Sequence, residues 1–197
     1  IYAPVLINIA GPGSSYINKL ADVECEMTRV TRPLRQEVVH VPSPKGFDFE
    51  KNGIIVSDSD IALYCRPEQG NNILIGSEDP DCDEHKWVKD DVEYDDNFSD
   101  QWTTQVMRYA QRVPTLGIPS SARGLVDLYD VSADWIPIYD KSSLASFYMA
   151  CGTSGNQYKN APIVGKMMAE LVEYVSKGTD HDKKPLIYME DVGRHNA

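Results

Sequence analysis

The run Cys151-Gly152-Thr153-Ser154-Gly155-Asn156-Gln157-Tyr158-Lys159-Asn160-Ala161-Pro162 holds residue types suited to binding an electron-rich group. Before it, the apolar and aromatic segment Leu144 to Ala150 reads as a buried strand. After it, apolar residues at 164, 167, 168, 171, 172 and 175 recur at helical spacing, with Asn160 placed to cap the helix, Pro162 in its first turn and Gly178 as its stop. A strand that breaks into small residues and re-enters as a helix leaves several backbone N–H groups unpaired and aimed at one point, which favours an anion or a group gaining electrons. The plainer reading is an ordinary turn whose glycines supply positive φ, and Gly-Thr-Ser-Gly lacks the spacing of a Walker loop or a dinucleotide fingerprint. Spacing alone leaves both readings open.

The remaining pattern supplies the elements that would position this loop. Ile1 to Ile9 is a nearly continuous apolar run, as in a strand buried on both faces. It ends in a second small-residue turn, Ala10-Gly11-Pro12-Gly13-Ser14-Ser15, followed by a short helical segment, Tyr16 to Leu20. From Met27 the pattern turns to β: Leu34 to Val41, Gly53 to Val56, Ile61 to Arg66 and Asn72 to Gly76 are short runs punctuated by Pro, Gly and Asn, and Pro67 to Asn71 reads as a hairpin connection. A helix is expected from Ser99 to Val113, with Ser99 as its cap, Phe98 and Trp102 as a hydrophobic staple, and Trp102, Val106, Tyr109, Ala110 and Val113 on one face; Met107 is also read as core. Ala122 to Tyr129 returns as a strand, Asp130 to Pro137 as a turn, Ile136 to Tyr139 as a strand, and Pro185 to Met189 as a weak one. The fold class expected is α+β.

Composition narrows the partners. A formal net charge of −11 argues against a nucleic-acid partner, since phosphate binding needs clustered Lys and Arg. No apolar run is long enough for a membrane span, and no signal-peptide pattern opens the chain. Four cysteines, Cys25, Cys65, Cys82 and Cys151, lack CxxC spacing, so a reduced, cytoplasmic protein is expected. Ser77 to Asp100 gathers Asp79, Asp81, Asp83, Glu84, Asp90, Asp91, Glu93, Asp95 and Asp96 without the spacing of a calcium loop, and reads as solvated; Cys82-x-x-His85 has no second half for zinc. The opening at Ile1 in mid-strand leads us to expect further chain upstream.

Taken in order, these segments resemble the C-terminal two-thirds of the flavoprotein amine oxidoreductases, the superfamily of D-amino-acid oxidase, sarcosine oxidase and dimethylglycine dehydrogenase. The resemblance runs from Ile1 to about Val175 and rests on four places: Ile7-Asn8-Ile9-Ala10-Gly11-Pro12, Arg35-Gln36-Glu37, Tyr64-Cys65-Arg66-Pro67 with Ile73-Leu74-Ile75-Gly76, and Tyr129 through Asp134-Trp135-x-Pro137 with Cys151 to Pro162. The last is the most specific. It implies a mainly antiparallel substrate-domain sheet with flanking helices (27–121), returning strands and the C-terminal helix of a discontinuous FAD-binding domain (1–26 and 122–178), and a tail (179–197). Ala10, Gly11, Gly152, Ser154, Gly155, Asn156, Gln157, Tyr158 and Lys159 would contact FAD, and Lys159, Tyr64 and Tyr129 would face the substrate. The Gly-x-Gly-x-x-Gly turn that clasps the FAD pyrophosphate in such proteins does not occur in this sequence, so an N-terminal FAD-binding segment is an implied partner.

Departures from the family shape the expected reaction. Asp127 stands where related oxidases carry a flavin-tethering cysteine, Leu74 where they carry an oxygen-activating lysine, and Asn156 where they carry a loop histidine. The resemblance therefore implies oxidation of a C–N bond in a secondary or N-methylated amino acid or amine by hydride transfer to FAD, by a dehydrogenase rather than an oxidase. The alternative is a non-catalytic binding module whose acidic loop engages a basic partner.

Overall fold

The computed structural model describes residues 2–89 and 93–188. In chain order its elements are β1 (Leu6–Asn8), α1 (Ser14–Leu20), β2 (Thr31–Pro42), α2 (Phe49–Asn52), β3 (Val56–Asp58), β4 (Leu63–Glu68), β5 (Asn72–Ser77), β6 (Lys86–Trp87), α3 (Asp100–Arg112), β7 (Gly124–Ser132), β8 (Ile138–Lys141), β9 (Phe147–Cys151) and α4 (Ala161–Ser176). The chain divides into two compact units, Pro33–Tyr129 and Ile1–Arg32 with Asp130–Ala197. It passes between them at Arg32–Pro33 and Tyr129–Asp130, against boundaries read from sequence after residues 26 and 121.

In the Pro33–Tyr129 unit the sheet runs β3-β4-β5-β2-β6, with β7 also paired to β2. Because side chains alternate across a strand, Leu63, Cys65, Ile73, Ile75, Val39 and Val41 share one face and form its core with Trp102, Val106 and Tyr109 of α3. Burying each such side chain is worth roughly 1.5–3 kcal/mol, enough to fix α3 on the sheet. The Ser99 hydroxyl caps α3 by accepting the Gln101 amide at 3.3 Å, and donates to Glu37 Oε1 at 2.5 Å. Glu37 is itself buried and paired with Arg35 at 2.7 Å, so β2 and the start of α3 are joined through one ion pair. Arg35 Nε also donates to the Asp95 carbonyl at 2.6 Å.

Several expectations in this unit change. Met107 is half exposed, because at about 100° per residue it falls on the side of α3 away from the buried Trp102, Val106 and Tyr109. The strand read at Gly53 to Val56 begins only at Val56; Ile54 and Ile55 are exposed after the short helix α2, whose cap Asp48 accepts the Lys51 amide. The acidic stretch is only partly solvated. Gln36 Nε2 donates to Asp79 at 2.6 Å, and Arg108 holds Asp83 at 2.5 Å, keeping that carboxyl below its usual range. Asp90 and Asp91 lie outside the described residues. Among the described residues no group of three or more His, Cys, Asp or Glu side chains is placed to hold a metal.

In the other unit β9 is central, parallel to β1 and antiparallel to β8. Alternation again divides its side chains: Phe147, Met149 and Cys151 pack with Val23 and Ile17, while Tyr148 packs with Met168 and Leu171 of α4. β1 is shorter than the apolar run suggests. Leu6, Ile7 and Ile9 are exposed and only Asn8 is buried, since one edge of β1 has no neighbour among the described residues. Leu144 likewise stays outside β9 and is half exposed. Pro185 to Tyr188 forms no strand, although Leu186 packs beside α4; Met189 lies outside the described residues. No helix among the described residues is long and apolar enough to cross a membrane.

Candidate functional site

The turn between β9 and α4 is held from behind by one side chain. Asp130 of β7 is buried, and its Oδ2 accepts the Gly152 amide at 2.6 Å. The Thr153 amide also turns to this carboxylate, and the Ser154 amide donates to the Asp130 carbonyl at 2.7 Å. Ser154 closes the inner part of the loop: its hydroxyl donates to the Gly152 carbonyl at 3.2 Å and accepts the Ser132 amide at 3.4 Å. Gly152 has φ +67, and a Cβ there would lie 3.1 Å from Ser132 Cβ and 3.2 Å from Thr31 Cγ2, so both backbone angle and space call for glycine.

Burial is the main cause that pushes Asp130 up, to about 6, against the amide bonds that favour its charge. The thiol of Cys151 is pushed up to about 12, first by burial and then by the charge of Asp130, so it is an inert packing group.

The loop does not offer all its amides outward, as its sequence suggested. Those of Gly152 and Ser154 are taken by Asp130, that of Thr153 faces its carboxylate, and that of Asn156 goes to the Thr153 carbonyl at 3.1 Å. The amides of Gly155, Gln157, Tyr158 and Lys159, by contrast, find no acceptor among the described residues. Asn160 does not cap α4 through its side chain. A 3-10 turn over Tyr158–Asn160 leads into the helix instead, and the Asn160 amide group donates to Gln157 Oε1 at 2.7 Å.

Tyr158 and Lys159 are exposed, and no carboxylate lies within ion-pair distance of Lys159 among the described residues. Beside the loop opens an apolar cavity of about 710 Å³ lined by Ile7, Ile9, Tyr139, Gly155, Tyr158 and Val164 among others. Four amides within five residues and an ammonium, all without partners among the described residues, suit a group that becomes more negative. That is the chemistry of a flavin ring edge on reduction, and the residues present fit it.

The second small-residue turn lies in the same unit. Ala10 donates its amide to Asn8 Oδ1 at 3.2 Å, and Gly11, at φ +57, opens a 3-10 turn into α1. Asn8 Nδ2 is fixed by the Ser14 carbonyl and Asn18 Oδ1, which anchors this turn to β1.

Tyr64 and Tyr129 belong to the Pro33–Tyr129 unit, where their hydroxyls meet at 3.4 Å. Tyr64 stands opposite Gly76, which in turn pairs with Val38, on the sheet face away from α3. A Cβ on Gly76 would fall inside the Tyr64 ring, so that glycine is what lets the ring lie flat across β5. Burial, then the neighbouring Tyr64, raises the Tyr129 phenol above its usual range and keeps it protonated. Leu74 is buried on this same face, two residues before Gly76. Asp127 accepts from the Tyr94 hydroxyl at 3.3 Å.

Sequence reasoning assigned Asp130 to a turn and gave it no role. The signal that marks it is alternation: Val126 and Leu128 are the preceding inward positions of β7, and Asp130 takes the next one.

The family model described as FAD dependent oxidoreductase matches residues 1–171. The FAD-dependent oxidoreductase domain-containing protein 1 of Bos taurus is 29% identical over 181 residues, covering 85% of this chain and 35% of that protein. Among solved structures, glycine oxidase from Geobacillus kaustophilus superposes with a TM-score of 0.65 at 17% identity, over 96% of this chain and 47% of the other. L-proline dehydrogenase from P. horikoshii superposes with a TM-score of 0.65 at 19% identity, over 89% of this chain and 43% of the other. The chain thus spans about a third of the curated relative and under half of these enzymes.

Proposed function

The chain belongs to the family of FAD dependent oxidoreductases, and from that membership we propose that the protein oxidises the C–N bond of a secondary or N-methylated amino acid or amine, delivering the electrons to an acceptor other than oxygen. The observation that carries this reading is the cluster of amides at Gly155, Gln157, Tyr158 and Lys159, without acceptors among the described residues, with the Lys159 ammonium beside it. When bound, FAD supplies the hydride acceptor. The four amides would stabilise the negative charge that reduction brings to its pyrimidine side, with Ala10, Gly11, Gly152, Ser154 and Asn156 shaping the surrounding backbone.

Lys159 would add to that stabilisation or pair with a substrate carboxylate. Tyr64 and Tyr129 would offer hydroxyls to a carboxylate and ring faces to an amine cation. Leu74, buried and uncharged, provides no cation to stabilise reduced oxygen, which favours a dehydrogenase. We take the FAD pyrophosphate to be held by a dinucleotide-binding segment that these 197 residues lack.

The test is anaerobic addition of sarcosine, N,N-dimethylglycine, glycine and L-proline to the purified full-length protein. Bleaching of the flavin band, with turnover by an artificial acceptor outpacing turnover by oxygen, supports the proposal. Colourless protein, or a flavin that no amine bleaches, ends it.

A further inference from the structure

We propose that Asp130 is the positioning residue of the flavin loop, a role that rests on the FAD-binding reading above. Its buried carboxylate takes the amide of Gly152 and is faced by that of Thr153, and its carbonyl takes that of Ser154. Two amides that could compete for a ligand, those of Gly152 and Ser154, are thereby turned inward. The next stretch, Gly155 to Lys159, is presented from a fixed base.

The anchor is built for this purpose rather than for charge pairing. Among the described residues no charged side chain contributes to its ionisation: Thr31 of β2 and the Gly152 and Thr153 amides act on it, and Cys151 of β9 is its titratable neighbour. Asp130 Oδ1 and the Thr31 hydroxyl are both buried without a close hydrogen bond among the described residues, so the Gly152 amide is the close partner that holds the carboxylate. Burying a carboxylate is unfavourable unless its hydrogen bonds are good ones, and here the short one, 2.6 Å, goes to Gly152 of the loop.

A strand residue that only packed would be apolar at this inward position, as Val126 and Leu128 are. The preceding residue of the same strand is Tyr129, so consecutive residues of β7 carry a candidate substrate hydroxyl and the loop anchor.

Two variants of the intact protein, Asp130→Ala and Asp130→Asn, test the role by amide hydrogen exchange with and without FAD, and by the Kd for FAD measured through flavin fluorescence. Asp130→Ala is expected to speed exchange at residues 152–154 at least tenfold, to leave exchange within Asp100–Arg112 unchanged, and to raise the FAD Kd at least tenfold. Asp130→Asn keeps one acceptor oxygen and falls between, and it carries the same comparison if the alanine variant does not fold. Unchanged exchange at 152–154 overturns the proposal, as does faster exchange with an unaltered FAD Kd or a loss of protection spread evenly over both segments. Wild-type protein that binds no FAD sinks the cofactor reading alone, while the exchange of the unliganded variants still reports whether Asp130 holds the loop.

Discussion

The carboxylate of Asp130 and the amide of Gly152 lie 2.6 Å apart in a buried hydrogen bond joining β7 to the loop after β9. Burial lifts this carboxyl to about 6, whereas an unfolded aspartate titrates near 4. The folded state therefore binds the extra proton between roughly pH 4 and 6, and the contribution of Asp130 to stability falls as pH rises through that window. Two pKa units correspond to roughly 3 kcal/mol. Urea unfolding of wild type and Asp130→Asn at pH 4 and pH 7 should show the difference between them shifting against wild type by about that amount at the higher pH. Parallel pH dependences would contradict the assigned burial.

Gly76 determines where the Tyr64 ring lies. Gly76→Ala forces the ring aside or shifts β5, at about 1–3 kcal/mol for an overpacked site. It should lower Tm more than Tyr64→Phe, which removes only the hydroxyl that meets Tyr129. Equal losses in thermal unfolding would show that the ring tolerates displacement.

Arg35 and Glu37 form a buried pair whose acid also receives the Ser99 amide at 3.0 Å at the start of α3. Removing the cation alone strands a carboxylate in the core. Arg35→Met should therefore destabilise the protein by about 3–5 kcal/mol in denaturant titration. A loss under about 1 kcal/mol would mean that water or another donor replaces the guanidinium.

The parts of the fold that were legible in the sequence are those with strong periodicity and local punctuation. α3 was readable from Ser99 and the Trp102, Val106, Tyr109 stripe, and the β4–β5 hairpin from Gly70 and Asn71, both at positive φ in the turn. β1 was overread because an apolar run shows that its residues are hydrophobic and does not show which edge of the strand is paired. The loop was placed correctly between β9 and α4, but the division of its amides into inward and free sets depends on Asp130, more than twenty residues earlier in the chain. No local pattern encodes a partner at that distance. Asn160 misled for a different reason: its type suits a cap, but its side-chain amide is committed to Gln157 Oε1 and a 3-10 turn leads into α4.

The charge at Lys159 bears most directly on the account, because the free amides and this ammonium are together assigned to holding a cofactor as it gains electrons. Rapid-mixing measurement of anaerobic flavin reduction by the best amine substrate, comparing full-length wild type with Lys159→Met, isolates that contribution. The account predicts flavin reduction slowed by about tenfold or more, together with a raised KM, for the loss of a charge-assisted contact on the order of 1.5–3 kcal/mol. Reduction at the wild-type rate with an unchanged KM would contradict it.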